Sequence, residues 1–177
     1  MQNMQYIESN LLEHEKLVYA VRPHWVIFSS GAWAILFAFI VWMFAPDGLA
    51  VPIVTKWNLR DLAGAAFFIV GLYWTIGAYI YYTTSEYGIT NKRVLIKVGW
   101  IRRRSLELLL DKVEGVLVDQ TITGRLFNFG AINIIGTGGT NDRFPFIPNP
   151  LLFRKTVQQQ IEFYEEAIHT QHVSSVK

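Results

Sequence analysis

Residues 79–104, YIYYTTSEYGITNKRVLIKVGWIRRR, decide how the rest of the chain is interpreted. The stretch begins as the aromatic end of a long uncharged segment and continues into a strand-like run that carries six Lys and Arg residues. Aromatic, uncharged sequence suits lipid, whereas alternating apolar and basic residues suit a half-buried strand beside water. The stretch therefore predicts a junction between a membrane anchor and a folded domain at the membrane surface.

Two long uncharged segments before this junction predict a transmembrane helical hairpin over residues 25–82. The spans are residues 26–44 (VIFSSGAWAILFAFIVWMF) and residues 62–82 (LAGAAFFIVGLYWTIGAYIYY). At about 1.5 Å per residue each helix is about 30 Å long, the thickness of a bilayer's hydrocarbon core. Small residues on both spans favour packing of the two helices on each other, with oligomerisation through the same glycines as the alternative. Neither span holds an ionisable residue, which argues against ion-coupled transport.

The distribution of charge predicts the topology. Residues 83–177 hold 12 Lys and Arg against 9 Asp and Glu, and many of the basic residues follow the second span closely. Basic residues beside a span stay in the cytoplasm, so we expect both termini there. The net charge of +2 gives no basic field for nucleic acid, and the absence of cysteine excludes disulfides, thiolate catalysis and cysteine-based metal sites.

The remaining sequence divides into a juxtamembrane arm (residues 1–24), a cytoplasmic domain (83–168) and a polar tail (169–177). Apolar residues alternate in short runs across the domain and predict an antiparallel sandwich or barrel, an α+β fold when the C-terminal helix is included. Pro145 should occupy an edge or a bulge. We expect residues 121–130 (TITGRLFNFG) to form a helical turn or loop that tucks Leu126, Phe127 and Phe129 onto the sheet. Asn149 and Pro150 predict the start of a final helix. Its apolar stripe is Phe153, Val157, Ile161, Tyr164 and Ile168.

A basic cluster is the strongest candidate site, and anionic lipid is the ligand it would attract. Each residue could add about 1 kcal/mol of attraction to an anionic leaflet. The alternative, which we favour over a specific headgroup site, is a solvated turn that also fixes topology. The residues are Lys92, Arg93, Lys97, Arg102, Arg103 and Arg104.

Other motifs give no catalytic, cofactor or metal site. The glycine-rich residues 136–139 lack the Lys-Ser/Thr of a P-loop and are better explained as a hairpin turn. His169 and His172 have a spacing that can bind metal, but no full ligand set accompanies them. No nucleophile stands beside a base, so we do not expect an enzyme.

Several motifs, in this order and spacing, resemble the bacterial pleckstrin-homology-like membrane-flanked family (the YdbS-like proteins). They are Ile89-Thr90-Asn91-Lys92-Arg93-Val94, Lys97-Val98-Gly99, Leu110-Asp111-Lys112-Val113, Gly124-Arg125-Leu126, Phe129-Gly130 and Phe146-Ile147-Pro148-Asn149-Pro150. The resemblance runs from about Glu8 to Ile161 and includes Glu15 and Arg22-Pro23-His24-Trp25. It implies a bent seven-stranded sheet capped by a C-terminal helix, in a binding or scaffolding module that is often oligomeric.

The sequence thus predicts a two-span protein of the bacterial inner membrane with a cytoplasmic pleckstrin-homology-like (PH-like) domain. Its expected role is binding or scaffolding through membrane lipids, through another membrane protein or through a homo-oligomer. The alternative is a subunit or accessory of a membrane pore or transport assembly.

Overall fold

The computed structural model describes residues 4–44, 59–99, 104–137 and 139–175. The chain forms two compact units. We call Met1–His24 together with Thr83–Lys177 the folded unit, and Trp25–Tyr82 the apolar unit. Each is described by itself.

The described residues of the folded unit form seven strands and three helices. In chain order they are α1 (Gln5–Ser9), β1 (Leu17–Val21), β2 (Glu86–Thr90), β3 (Arg93–Val98), β4 (Arg104–Leu109), β5 (Val113–Asp119), α4 (Ile122–Leu126), β6 (Phe129–Gly136), β7 (Thr140–Pro148) and α5 (Pro150–Ser175). A 3₁₀ turn, Leu110–Lys112, joins β4 to β5.

The strands form two antiparallel sheets, of order β1-β2-β3-β4 and β5-β6-β7. Among the described residues no strand of one sheet pairs with a strand of the other, so the closed barrel that we allowed for is not formed. Seven strands and a C-terminal helix agree with the expected architecture. Pro145 lies on the edge strand β7, where the register shifts, as predicted.

The main core lies on the inward faces of both sheets and beneath α5. Tyr87, Ile132 and Ile134 are fully buried, and so are Phe153 and Val157 of the helix stripe. The helix begins at Pro150 as expected but continues to Ser175, through most of the predicted polar tail. Ile168 is 48% exposed, so the packed stripe ends before it.

The N-terminal residues, which we predicted to be a juxtamembrane arm, are part of the folded unit. β1 is the edge strand beside β2, and α1 packs Ile7 against Leu95 on the outer face of the sheet. The Glu86 carboxylate accepts hydrogen bonds from the first amides of α1, at Tyr6 and Ile7, both at 3.1 Å. Leu95 is therefore buried, although it alternates along β3 with Val94 and Ile96, which belong to the main core on the other face of the sheet.

The apolar unit contains two antiparallel helices, α2 (Ser29–Phe44) after a 3₁₀ turn (Trp25–Phe28), and α3 (Leu59–Thr84), whose last residues enter the folded unit. They pack through small residues, as predicted. A β-carbon on Gly31 would lie 2.2 Å from Thr75 Oγ1, and one on Gly71 would lie 2.7 Å from the Ile35 side chain. Large apolar side chains point outward, among them Trp33 (69% exposed) and Tyr73 (74% exposed).

Candidate functional site

Arg93 is buried in an ion-pair network with the N-terminal residues. Its Nε and Nη2 donate to the two carboxylate oxygens of Glu15, each at 3.0 Å, and its Nη1 donates to Glu107 at 2.6 Å. Nη2 also donates to the Asn10 carbonyl at 2.8 Å. The Glu15 side chain has no exposed area. Arg93 therefore fastens the N-terminal segment to the sheet, and two carboxylates neutralise its charge there.

The surroundings of Glu15 keep this pair charged. Burial by itself raises the pKa of Glu15, but hydrogen bonds from Arg93, the Leu12 amide and Thr90 outweigh burial and hold that pKa below its ordinary value of 4.5. The hydrogen bond to Glu15 is the main reason that the pKa of Arg93 is raised. Both groups are accordingly ionised at neutral pH.

Two of the other residues of the predicted basic cluster also contact the N-terminal residues. Lys97 Nζ lies 4.1 Å from the centre of the Tyr6 ring, a cation–π contact. Lys92 Nζ donates to the Glu13 carbonyl at 3.3 Å. Arg104 is exposed at the start of β4, while Arg102 and Arg103 lie outside the described residues. Three of the six candidates, namely Lys92, Arg93 and Lys97, thus contact the N-terminal residues.

A second group of basic residues lies where α4 meets the start of α5. A cavity of about 460 Å³ opens there, lined by Val118, Gln120, Arg125, Asn128, Leu151 and Arg154. Arg125 and Arg154 are both exposed. Within the described parts of the chain, no carboxylate lies in ion-pair distance of either guanidinium. Two unpaired guanidinium groups in one cavity suit an oxyanion, because each can donate two parallel hydrogen bonds to it.

The short helix α4 is fixed in place by its own sequence. Thr121 Oγ1 accepts from the Gly124 amide at 3.1 Å and caps the helix. The Gln120 side chain donates to the Phe129 carbonyl at 3.1 Å. A β-carbon on Gly124 would lie 2.6 Å from the same carbonyl oxygen, so only glycine allows this close approach to β6.

The outer side of α4 is apolar and exposed, which corrects the prediction that this segment tucks its large residues onto the sheet. Ile122 is 88% exposed, Leu126 is 77% exposed and Phe127 is 46% exposed. Phe129, the first residue of β6, is only partly buried. The close contact at Gly124 turns the small side of the helix inward and leaves its large residues outward.

His24, the last residue of the folded unit before Trp25, contacts the same region. Its ring stacks on Phe129 with 5.2 Å between centres, and its amide donates to the Phe146 carbonyl at 2.6 Å. Burial lowers the pKa of His24, although a hydrogen bond to the Phe127 carbonyl opposes the shift. The end of α4 therefore lies beside the point at which the chain leaves the folded unit.

The described residues contain no group of three or more His, Cys, Asp or Glu arranged to hold a metal ion. Gly136 at the end of β6 pairs with Thr140 at the start of β7, and Gly139 has a φ of 87°, so the two strands form the predicted hairpin, although Gly138 lies outside the described residues. The cavity between α4 and α5 is consequently the best candidate for a binding site in the folded unit.

Comparison with known proteins gives the family. The model of the family described as "Bacterial PH domain" matches residues 17–162, which begin at β1 and end within α5. No curated protein and no solved structure matches. The matched residues cover most of the chain and include β1, in agreement with the place of the N-terminal residues in the sheet. The chain belongs to the bacterial PH domain family.

Proposed function

We propose that this protein is a membrane-anchored binding module, in which the apolar unit spans the bacterial inner membrane and holds the PH-like folded unit at its cytoplasmic surface. The observation that carries the proposal is the apolar unit itself. Two of its segments, Trp25–Phe44 and Arg60–Thr84, are long and apolar enough to cross a bilayer. Their most apolar stretches are only 17% and 11% buried within the chain. Helices of a water-soluble core hide such surface, whereas lipid-facing helices expose it.

The connections to the folded unit support the same function. The apolar unit is inserted between β1 and β2, two neighbouring strands of one sheet. Both of its ends are therefore tied to hydrogen-bonded strands, and crossing the bilayer twice would keep both strands on one side. Lys and Arg are in excess after the second span, and basic residues beside a span stay in the cytoplasm. This supports a cytoplasmic location for both strands.

The binding role follows from the PH-like fold together with the cavity between α4 and α5. The folded unit offers a rigid sheet framework, and the cavity offers unpaired cationic groups at its surface. Such a module recruits a ligand or partner to the membrane and needs no chemistry of its own.

Membrane extraction and cysteine labelling test the proposal. The chain has no cysteine, so single cysteines can be introduced by Gly48→Cys in the link between the helices and by His169→Cys in α5. We expect the protein to stay in the membrane pellet after alkaline carbonate treatment. In spheroplasts, an impermeant maleimide should label the cysteine at position 48 and leave the one at position 169 unlabelled until the membrane is broken. Release by carbonate would contradict the anchoring, and labelling of both positions would contradict the topology.

A further inference from the structure

We propose that α4 and the first turns of α5 form a site for an anionic phospholipid, in which Arg125 and Arg154 hold the phosphate and Ile122 and Leu126 enter the apolar layer beneath it. The inference rests on the proposed function, because the site requires the folded unit to be held at a membrane.

The cationic half of the site is the cavity between the two helices. Arg125 comes from α4 and Arg154 from α5, so two separate elements each contribute an arginine to the lining of one cavity. The polar side chains of Gln120 and Asn128 line the same cavity. Phosphate is the common anion that matches this set, because its oxygens accept bidentate hydrogen bonds from guanidinium groups.

The apolar half of the site is the outer side of α4. Ile122 and Leu126 are four residues apart and so lie on one side of the helix, and Arg125 stands between them in sequence. At 88% and 77% exposure they are the two most exposed large hydrophobic residues that the structure describes. Apolar area on this scale gains free energy when it leaves water for hydrocarbon. A cationic pocket beside protruding aliphatic side chains matches the boundary between lipid headgroups and acyl chains.

The site is rigid before any ligand binds. The Thr121 cap, the Gln120 bridge and the close contact at Gly124 hold α4 on β6. Asn128 and Asn149 are hydrogen-bonded through their side chains, and the Asn149 amide donates to the Asn128 carbonyl at 2.9 Å, which links the end of α4 to the start of α5. Because the backbone on both sides of the cavity is already held in place, binding has only the exposed arginine side chains left to order.

The position of the site within the folded unit favours lipid over a protein partner. The His24 ring packs on Phe129 and is hydrogen-bonded to the carbonyl of Phe127, the residue that follows α4. His24 is joined covalently to Trp25, where the apolar unit begins. Under the proposed function the chain enters the membrane directly after His24, so the covalent link itself ties this region to a lipid surface, whereas a protein partner would have to diffuse to it.

The experiment uses the full-length chain in nanodiscs and an environment-sensitive fluorophore. Leu126→Cys is labelled with NBD, whose emission strengthens and shifts to the blue in hydrocarbon. The labelled chain is placed in discs of phosphatidylcholine alone and in discs that also contain phosphatidylglycerol. Ile122→Cys provides a second label site, and both positions are exposed enough to tolerate the change. Phe163→Cys, 62% exposed on α5, is the control position for the label.

Charge-matched variants separate the site from general electrostatic attraction. Arg125→Gln with Arg154→Gln removes two charges from the cavity. Lys16→Gln with Lys155→Gln removes two exposed charges outside both the cavity and the predicted basic cluster, one of them adjacent to Arg154. We expect phosphatidylglycerol to shift the label at position 126 to the blue. The measured quantity is the ratio of chains whose α4 is inserted in lipid to chains whose α4 is free. Removing each cavity arginine should lower this ratio about fivefold. The control pair should lower this ratio much less.

The outcomes distinguish this inference from the proposed function. If the chain enters both kinds of disc but the label reports the same environment in each, or if both charge pairs act equally, the lipid site is refuted and the anchoring stands. A signal that appears only after another membrane protein is added would also refute the lipid site in favour of a protein partner. If the chain fails to enter the discs, the anchoring and the lipid site are both contradicted.

Discussion

Replacing Arg93 by alanine should release the N-terminal segment from the sheet. The variant loses the bidentate bond to Glu15 and leaves that carboxylate with only the Leu12 amide at 2.8 Å and the Thr90 hydroxyl at 2.7 Å. Glu15 has no exposed area, so water cannot replace the lost partner. Removing one member of a buried ion pair typically costs about 3–5 kcal/mol. That is a large fraction of the roughly 5–15 kcal/mol that stabilises a folded domain.

Hydrogen exchange of the full-length chain in detergent, followed by mass spectrometry, measures this effect directly. Peptides that cover β1 should exchange at least about a hundredfold faster in Arg93→Ala, because about 1.4 kcal/mol is a factor of ten. Arg143→Ala is the matched control. It breaks an ion pair with Asp119 whose side chains are 62% and 64% exposed, and exposed pairs contribute about 0–1 kcal/mol. Its β1 peptides should be nearly unchanged.

The same network predicts the response to acid and a route to rescue. Because the pKa of Glu15 is depressed on folding, its contribution to stability is complete above 4.5 and is lost as the pH falls through the lower, folded value. Glu15→Leu combined with Arg93→Met should recover much of the protection, since apolar replacement of both partners leaves no buried charge.

If β1 in Arg93→Ala exchanges within about tenfold of the wild-type rate, the reasoning is refuted, because the loss of a buried partner should cost more than that.

Three further outcomes follow from the packing. Gly124→Ala should destabilise the folded unit by about 1–3 kcal/mol in chemical denaturation, because its β-carbon meets a carbonyl oxygen, whereas Gly115→Ala has open space and should be tolerated. Gly71→Leu should separate the two apolar helices, seen as a longer spin-label distance between them. A β-carbon at Gly77 meets no atom within 4 Å, so Gly77→Leu should leave that distance unchanged. His24 should titrate below 6.5 by NMR, because burial disfavours its charged form; its contribution to stability is present above 6.5 and falls as the pH drops. A titration at or above 6.5 would show that His24 is not packed in this way.

Features set by local sequence were predictable. Pro150 and the spacing of Phe153 and Val157 specify the start and the buried side of α5, because helix periodicity depends only on neighbouring residues. The small residues of the apolar segments likewise predicted helix-to-helix packing, which Gly31 and Gly71 show at the level of atoms.

Features set by contacts between distant residues were missed. Arg93 and Glu15 are 78 residues apart in sequence, and nothing local tells a buried guanidinium from a lipid-facing one. Leu17, Tyr19 and Val21 do alternate, and this period of two was the available signal for β1, but its partner strand lies beyond the whole apolar unit.

The cavity residues could have been found only in part. Arg154 stands early in a helix, where cations oppose the helix dipole, and that was a sign of a role other than stability. Nothing in the sequence indicated that Leu126 is exposed. Its exposure results from the close approach of Gly124 to a carbonyl of β6, which is a contact between separate elements.

The central claim is that the apolar unit lies in lipid, and a spin label on α3 tests it most directly. Ile69→Cys places the label on a residue that is 65% exposed and well inside the second apolar segment. In reconstituted bilayers the account predicts relaxation of the label by oxygen, which dissolves in hydrocarbon, and protection from a water-soluble nickel chelate. Relaxation by the nickel chelate as strong as that of an exposed site on the folded unit would contradict it.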